Sequence, residues 1–309
     1  MSRIRNEAPI PPKAGGQKTF LRWVLVIFAV ICVLGAANAG DHGKARPSKK
    51  AILLVAFGTS ISKAQISYKN IEHAVRTHFP DIPIRWAYTS EFIRRKLAKQ
   101  GQSMDSVEMA LAKMMDEKFT HVAVQSLHTI AGWEFHDLRK NATLFGQMAG
   151  GFDSIRVGSP LLSTDNDFER VVIAFLKNIP KSRKKTDAVI LMGHGTSHPV
   201  NAAYAALMYH FQRKDPYVFV GTVEGSPEID EIKKMLLARK VKTAYLIPFM
   251  SVAGAHAIND MAGEADDSWK SILTKDGISC SPVLKGTAEY DEIVEIWVDH
   301  LKTAISGFD

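Results

Sequence analysis

The sequence predicts an α/β fold in which two similar domains, each built on a parallel sheet, face each other across a central cleft. Short apolar runs alternate with segments whose apolar residues recur at helical spacing, from residue 51 almost to the end of the 309-residue chain. A weak internal repeat divides this pattern, because residues 51–60 (AILLVAFGTS) match residues 188–197 (AVILMGHGTS). The repeat places four β/α units in each half. Eight such units can also close into a single barrel, which is the alternative fold.

The strands are predicted from apolar runs that are too short for helices. Residues 51–57 are apolar throughout, which is typical of a parallel strand covered by helices on both faces. The same pattern predicts further strands at residues 82–88, 121–127, 154–157, 188–192, 218–222, 244–249 and 278–284.

Amphipathic helices are predicted between these strands. The first ends before Pro80, and its apolar residues at helical spacing are Ala64, Tyr68, Ile71, Val75 and Phe79. A last helix is predicted over residues 289–305. The lysine-rich segment 180–186 is expected to link an N-terminal domain, residues 40–180, to a C-terminal domain, residues 181–309.

The N-terminus has the three parts of a secretory signal peptide. An apolar run, residues 23–34, precedes Ala37-Asn38-Ala39, a cleavage site of the A-x-A type. The run is too short to span a bilayer comfortably. We therefore predict cleavage near Ala39 and export to the periplasm with no stable membrane anchor, and an uncleaved anchor is the alternative. The basic residues before the run are Arg3, Arg5, Lys13, Lys18 and Arg22.

Charge and cysteine content narrow the functional classes. Residues 1–39 hold five Lys/Arg and one Glu, so their removal lowers the formal net charge from +7 to +3. The basic character is therefore mostly an export feature and does not indicate nucleic-acid binding. Only Cys280 would remain after cleavage, which excludes an internal disulfide. The sequence contains no GxGxxG and no Walker loop for a nucleotide.

Three polar residues follow predicted strands of the second half, where open α/β sheets bind ligands. They are His194, Glu224 and His256. Two imidazoles and a carboxylate with open coordination positions suit Co²⁺, Fe²⁺, Ni²⁺ or Zn²⁺. The matching places in the first half hold Phe57, Ser90 and Glu134, which do not form a metal site. We therefore expect the second domain to hold a metal and the first domain mainly to shape a pocket.

Five motifs resemble those of the anaerobic cobalt chelatases, the CbiK-type branch of the class II chelatases. The resemblance covers residues 50–305 and implies two Rossmann-like domains and ATP-independent insertion of a divalent metal into the tetrapyrrole sirohydrochlorin. It also implies that His194, Glu224 and His256 bind the metal. The motifs are Leu53–Ser60 (LLVAFGTS), Gln125–His128 (QSLH), Met192–Gly195 (MGHG), Gly221–Gly225 (GTVEG) and Pro248–His256 (PFMSVAGAH).

The chemistry of metal insertion suggests roles for further residues. We predict that His194 both ligates Co²⁺, or Fe²⁺, and accepts a pyrrole proton. Aromatic and apolar candidates for lining the macrocycle are Phe57, Tyr88 and Leu127. Candidates for hydrogen bonds to its carboxylates are Thr59, Ser60, Gln125, Thr196 and Ser197, for which helix capping is the alternative. His128 is predicted to act as an outer base or to form a local hydrogen bond.

Three functions remain open from the sequence. The first is a periplasmic cobalt chelatase, the second is an iron chelatase for sirohaem or haem synthesis, and the third is a non-catalytic periplasmic carrier of metal or haem. His136, which has aromatic neighbours, is a candidate axial haem ligand, with a solvated surface histidine as the alternative. A homo-oligomer is expected by default.

Overall fold

The computed structural model describes residues 46–308, so the predicted signal peptide lies outside the described residues. Ser48–Asp309 form one compact unit, and both sheets lie within it. No helix in the described part of the chain is long and apolar enough to cross a membrane.

Two separate four-stranded parallel sheets form the centre of this unit. The first has the order β2-β1-β3-β4, and the second has the equivalent order β6-β5-β7-β8. Two open sheets confirm the predicted fold class, and the single barrel is wrong. The strands are β1 Lys50–Ala56, β2 Ile84–Tyr88, β3 His121–Ser126, β4 Ser154–Gly158, β5 Ala188–Gly195, β6 Val218–Glu224, β7 Thr243–Pro248 and β8 Ser279–Pro282.

Helices connect successive strands and cover the sheets. Of the nine within residues 46–308, four begin at a residue whose side-chain oxygen accepts from a free backbone N–H, namely Ser90, Ser106, Thr164 and Ser268. Short helical turns cover Ser62–Gln65, Pro199–Asn201, Ala257–Met261 and Thr287–Glu289. The helices are α1 Ile66–His78, α2 Glu91–Lys99, α3 Val107–Asp116, α4 Trp133–Gln147, α5 Asp165–Asn178, α6 Ala202–Gln212, α7 Ile229–Ala238, α8 Trp269–Lys275 and α9 Asp291–Ser306.

The internal repeat corresponds to a repeat of topology. Strands β1 and β5 hold the same inner position of their sheets, between a shorter edge strand and a second inner strand. Strand β5 continues to Gly195, three residues beyond the predicted end, and Gly195 pairs with Glu224 at the end of β6. Apolar content predicts strand ends poorly here, because the last residues of β5 are glycines and a histidine. The longer ladder fixes the backbone on both sides of His194.

The two sheets share part of one hydrophobic core. A single cluster of buried side chains includes Leu54 of β1, Leu191 of β5 and Trp297 of α9. Helix α9 packs on β3, β4, α1 and α5, which all belong to the first half. The chain therefore returns to the first sheet after completing the second. The domain boundary near residue 180 stays a prediction, but the last helix packs with the first half.

Candidate functional site

His194 stands at the end of β5 between two glycines that the packing requires. A Cβ atom on Gly193 would lie 2.3 Å from the ring of Tyr204, and one on Gly195 would lie 1.7 Å from the carbonyl oxygen of Glu224. Gly195 also has φ of +84°, which L side chains rarely adopt. The imidazole Nδ1 is 3.1 Å from the carbonyl oxygen of Gly195. A carbonyl only accepts, so Nδ1 carries the proton and Nε2 keeps its lone pair.

Glu224 and His256 lie beside His194. An oxygen of Glu224 is 4.0 Å from Nδ1 of His194, and the rings of His194 and His256 have centroids 4.8 Å apart. The structure therefore brings together the three residues predicted to bind metal. Among residues 46–308, no three His, Cys, Asp or Glu side chains already have the geometry of a metal site. The Glu224 oxygen lies nearest the protonated Nδ1 of His194, so side-chain movement must bring Glu224 and His256 to Nε2 before the three can share an ion.

Asp260 orients His256 and was not predicted as a site residue. His256 precedes the turn Ala257–Met261, and its Nδ1 is 2.5 Å from a carboxylate oxygen of Asp260. The carboxylate accepts the Nδ1 proton, so Nε2 of His256 is free to bind metal. A carboxylate behind a ligating histidine fixes its tautomer and increases its basicity. The spacing of four residues on a helical turn is the sequence signal that identifies this pair.

A second polar cluster lies at the carboxyl end of the first sheet. Nε2 of His128 is 2.9 Å from a carboxylate oxygen of Glu134, and the hydroxyl of Thr89 donates to the same oxygen at 3.0 Å. Nδ1 of His128 is 2.8 Å from the hydroxyl of Ser126. Glu134 only accepts when ionised, so Nε2 of His128 donates to it, and Nδ1 shares a hydrogen bond with the hydroxyl of Ser126. The prediction that His128 forms a local hydrogen bond is consistent with these contacts.

The carboxylate of Glu134, in the first half, interacts electrostatically with His194, in the second half. Burial by itself raises the pKa of Glu134, but the hydrogen bond and charge of His128, the hydroxyl of Thr89 and the charge of His194 together lower it below its ordinary value. The side chain therefore stays negative at neutral pH. The sequence placed Glu134 at a position equivalent to a metal ligand without giving it a role, and the structure identifies it as part of the same site.

Phe57 connects the two halves at the site. Its ring centroid is 6.2 Å from that of His194, and 41% of the residue is exposed. Close by, a Cβ atom on Gly254 would lie 3.7 Å from the hydroxyl of Thr59. Phe57 and Thr59 follow β1, His194 lies at the end of β5 and Gly254 follows β7, so the carboxyl ends of these strands lie close together. The exposed ring of Phe57 therefore lies beside His194, where the carboxyl ends of strands from both sheets meet.

Four of the predicted tetrapyrrole-binding residues lie inside the core. Tyr88 packs on Tyr68 with ring centroids 5.6 Å apart, and burial raises the pKa of Tyr88 to about 12. The amide of Gln125 donates to the carbonyls of Ser126 and Ser159, so it holds the end of β3 against the loop after β4. Their contact with a tetrapyrrole stays a prediction. The four are Thr59, Tyr88, Gln125 and Leu127.

Three polar candidates lie on the loops that leave β1 and β5. Ser60 and Thr196 are half-buried, and Ser197 is exposed. The hydroxyl of Thr196 accepts from the backbone N–H of His198 at 3.1 Å, which is the local capping contact expected as the alternative. Ser60 and Ser197 have no side-chain hydrogen bond within residues 46–308, so both hydroxyls are free to meet a ligand.

His136 lies in a group of aromatic side chains contributed by both halves. The ring centroids of His136 and His198 are 5.1 Å apart, and those of His198 and Trp133 are 4.6 Å apart. His136 and Trp133 belong to α4, and His198 follows β5. The predicted haem contact of His136 stays a prediction.

Residues 50–306 match the family described as cobalt chelatase (CbiK). The chain belongs to this family. It is 46% identical over 262 residues to the sirohydrochlorin cobaltochelatase CbiKC of Nitratidesulfovibrio vulgaris, covering 85% of this chain and 93% of that one. It is 37% identical to the sirohydrochlorin cobaltochelatase of Salmonella typhimurium, covering 84% of this chain and 97% of that one.

The same fold occurs in solved chelatase structures. SirB from Bacillus subtilis, solved with Fe³⁺, superposes with a TM-score of 0.56 at 17% identity, covering 84% of this chain and 97% of that one. At this identity the likeness concerns the fold alone. It agrees with the two parallel sheets described above.

Proposed function

We propose that this protein inserts Co²⁺ into sirohydrochlorin without ATP, with His194 as metal ligand and proton acceptor. Family membership supports the reaction, and both curated relatives are named for it. The observation that carries the assignment of residues is the convergence of His194, Glu224 and His256. These residues lie far apart in sequence and come from three different strand ends.

The three side chains supply the donors that a divalent transition metal needs before transfer. Neutral imidazole nitrogens and a carboxylate replace water on Co²⁺, and they leave positions open for the pyrrole nitrogens. Glu224 is the most exposed of the three donors, with 64% of its side chain exposed.

Insertion of the metal releases two protons from pyrrole N–H groups. As the metal passes from Nε2 of His194 to the pyrrole nitrogens, Nε2 becomes free and takes one of these protons, since Nδ1 already carries a proton that it donates to the carbonyl of Gly195. The second proton passes to water. The imidazolium formed is stabilised by the ionised carboxylate of Glu134 across the cleft. His128 and Thr89 keep that carboxylate in place. The charge that develops on His194 is therefore compensated within the site.

The exposed ring of Phe57 offers a flat apolar surface beside His194 for a macrocycle. The free hydroxyls of Ser60 and Ser197 are suited to donate hydrogen bonds to peripheral carboxylates. A substrate that lies on Phe57 would place its central nitrogens near the metal-binding side chains.

The test is insertion by purified protein with sirohydrochlorin and either Co²⁺ or Fe²⁺. We expect turnover with Co²⁺ and its loss in His194→Ala, while His73→Ala, on the surface of α1, keeps wild-type activity. Turnover with Fe²⁺ alone would favour the iron chelatase. Binding of metal without turnover would favour the carrier.

Export and haem binding are further parts of this proposal. Residues 1–39 have the composition of a signal peptide, so we expect periplasmic protein whose N-terminus begins near Gly40. N-terminal sequencing of the periplasmic fraction tests this, and an intact Met1 there would contradict it. For haem, a Soret band that His136→Ala removes would support His136 as an axial ligand, and an unchanged band would support the alternative, a surface histidine.

A further inference from the structure

Asn201 ties together the two loops that follow His194 and Glu224. Its Oδ1 accepts from the backbone N–H of Thr196, two residues after His194, at 3.1 Å. Its Nδ2 donates to the carbonyl of Ser226, two residues after Glu224, at 2.6 Å. One amide group therefore acts as acceptor for the first loop and as donor for the second.

The Asn201 amide packs directly against Gly225, in the loop after Glu224, and leaves no room there for a side chain. A Cβ atom on Gly225 would lie 3.0 Å from both polar atoms of the Asn201 amide. Gly225 has φ of +119°, so its backbone also requires glycine. Asn201 is itself fixed, because its backbone N–H donates to the carbonyl of His198 and helix α6 begins at the next residue. The amide thus joins both loops to a rigid helix.

The position of the Glu224 side chain is set by the backbone that carries it and not by hydrogen bonds to its carboxylate. No described residue donates a hydrogen bond to its carboxylate, which lies 4.0 Å from Nδ1 of His194. We infer that Asn201 is a positioning residue that fixes the spacing of His194 and Glu224 and thereby sets the affinity for the divalent metal substrate. The inference rests on the proposed function, and it concerns a residue outside the proposed set of metal ligands, whose amide contacts the backbone of both loops.

The test is the dissociation constant for Co²⁺, measured by calorimetry on the full chain without tetrapyrrole. In Asn201→Asp, the carboxylate still accepts from Thr196 but repels the carbonyl of Ser226. We expect Co²⁺ to bind about 10- to 100-fold more weakly, as is typical when a group that positions a ligand is lost. Asn141→Asp is the matched control, since Asn141 donates to Glu108 on the surface, and it should bind Co²⁺ as the wild type does.

A double-mutant cycle separates positioning from a general loss of structure. If Asn201 acts through Glu224, then Asn201→Asp should weaken Co²⁺ binding little further in a Glu224→Gln background. The same loss in both backgrounds would overturn the inference. Asn201→Ala, which adds no charge, is measured in parallel, so that a folding defect of the aspartate variant does not decide the outcome.

The remaining outcomes distinguish this inference from the proposed function. Wild-type affinity in both Asn201 variants, with weaker binding in Glu224→Gln, would overturn the role of Asn201 and leave the metal site intact. Unchanged affinity in Glu224→Gln and in His194→Ala would overturn both, because Co²⁺ would then bind elsewhere.

Discussion

Three neighbouring residues keep the carboxyl group of Glu134 ionised. His128 and Thr89 donate to the same carboxylate oxygen, and the charge of His194 acts in the same direction. These contacts outweigh burial, which favours the protonated acid. A negative charge is thus maintained opposite the residue that we propose takes up a proton.

We expect His128→Asn to raise the pKa of Glu134, because the variant loses the strongest of the contacts that hold the carboxylate ionised. The wild-type pKa lies below the ordinary value of 4.5. The lowered pKa means that the ionised Glu134 carboxylate adds to the free energy of unfolding. This contribution is fully present above pH 4.5 and is lost as the pH falls through the pKa of the folded state. In the variant this loss on acidification should be smaller.

Carbon NMR titration of the Glu134 carboxyl group measures this shift directly. His78→Asn is the control, since His78 pairs with Glu295 on the surface and makes no contact with Glu134. An unchanged pKa of Glu134 in His128→Asn would show that another group holds the carboxylate ionised.

At the scale of elements, the ends of β5 and β6 position the proposed metal ligands. The pairing of Gly195 with Glu224 extends the ladder to the site itself, so this backbone contact, together with the Asn201 amide, holds His194 and Glu224 close together. This proximity depends on the absence of a side chain at Gly195. A change that separates the ends of β5 and β6 would therefore also separate the proposed metal ligands.

We expect Gly195→Ala to weaken Co²⁺ binding and to lower the unfolding free energy. A methyl group there meets the carbonyl oxygen of Glu224 and separates the strand ends. Gly101→Ala is the matched control, since Gly101 also has a positive φ, +76°, but has no atom within 4 Å of an added Cβ. The control should cost only the backbone strain, about 1–2 kcal/mol, and should keep its Co²⁺ affinity.

Urea denaturation and Co²⁺ titration of both variants give the comparison. Equal losses of stability, with Co²⁺ affinity retained in both, would contradict the proposed link between strand ends and metal binding.

Sequence patterns predicted elements better than the contacts between them. Residues 121–127 were predicted as a strand around the apolar residues 122–124, and β3 is found at His121–Ser126. The end of β5 was missed because Gly193 and Gly195 carry no apolar signal. The pairing of His128 with Glu134 could not be deduced either, since it depends on how the loop after β3 turns toward α4.

At the scale of the whole molecule, helix α9 joins the two halves. Its apolar face was predictable from spacing, but the sheet that it covers was not, because amphipathicity identifies a buried face and not its partner. Sequence order assigned α9 to the second domain. Its buried side chains instead complete the core of the first sheet, in a cluster that also includes β5.

We expect Trp297→Ala to destabilise both halves together. Trp297 is only 1% exposed, and loss of a fully buried tryptophan typically costs about 3–5 kcal/mol. Trp133→Ala is the control, because 58% of Trp133 is exposed and surface changes usually cost about 0.5 kcal/mol or less. Hydrogen exchange of peptides from β3 and β5 reports on each sheet separately. Equal loss of protection in both would follow from the shared core, whereas loss confined to β3 would mean that the halves unfold independently.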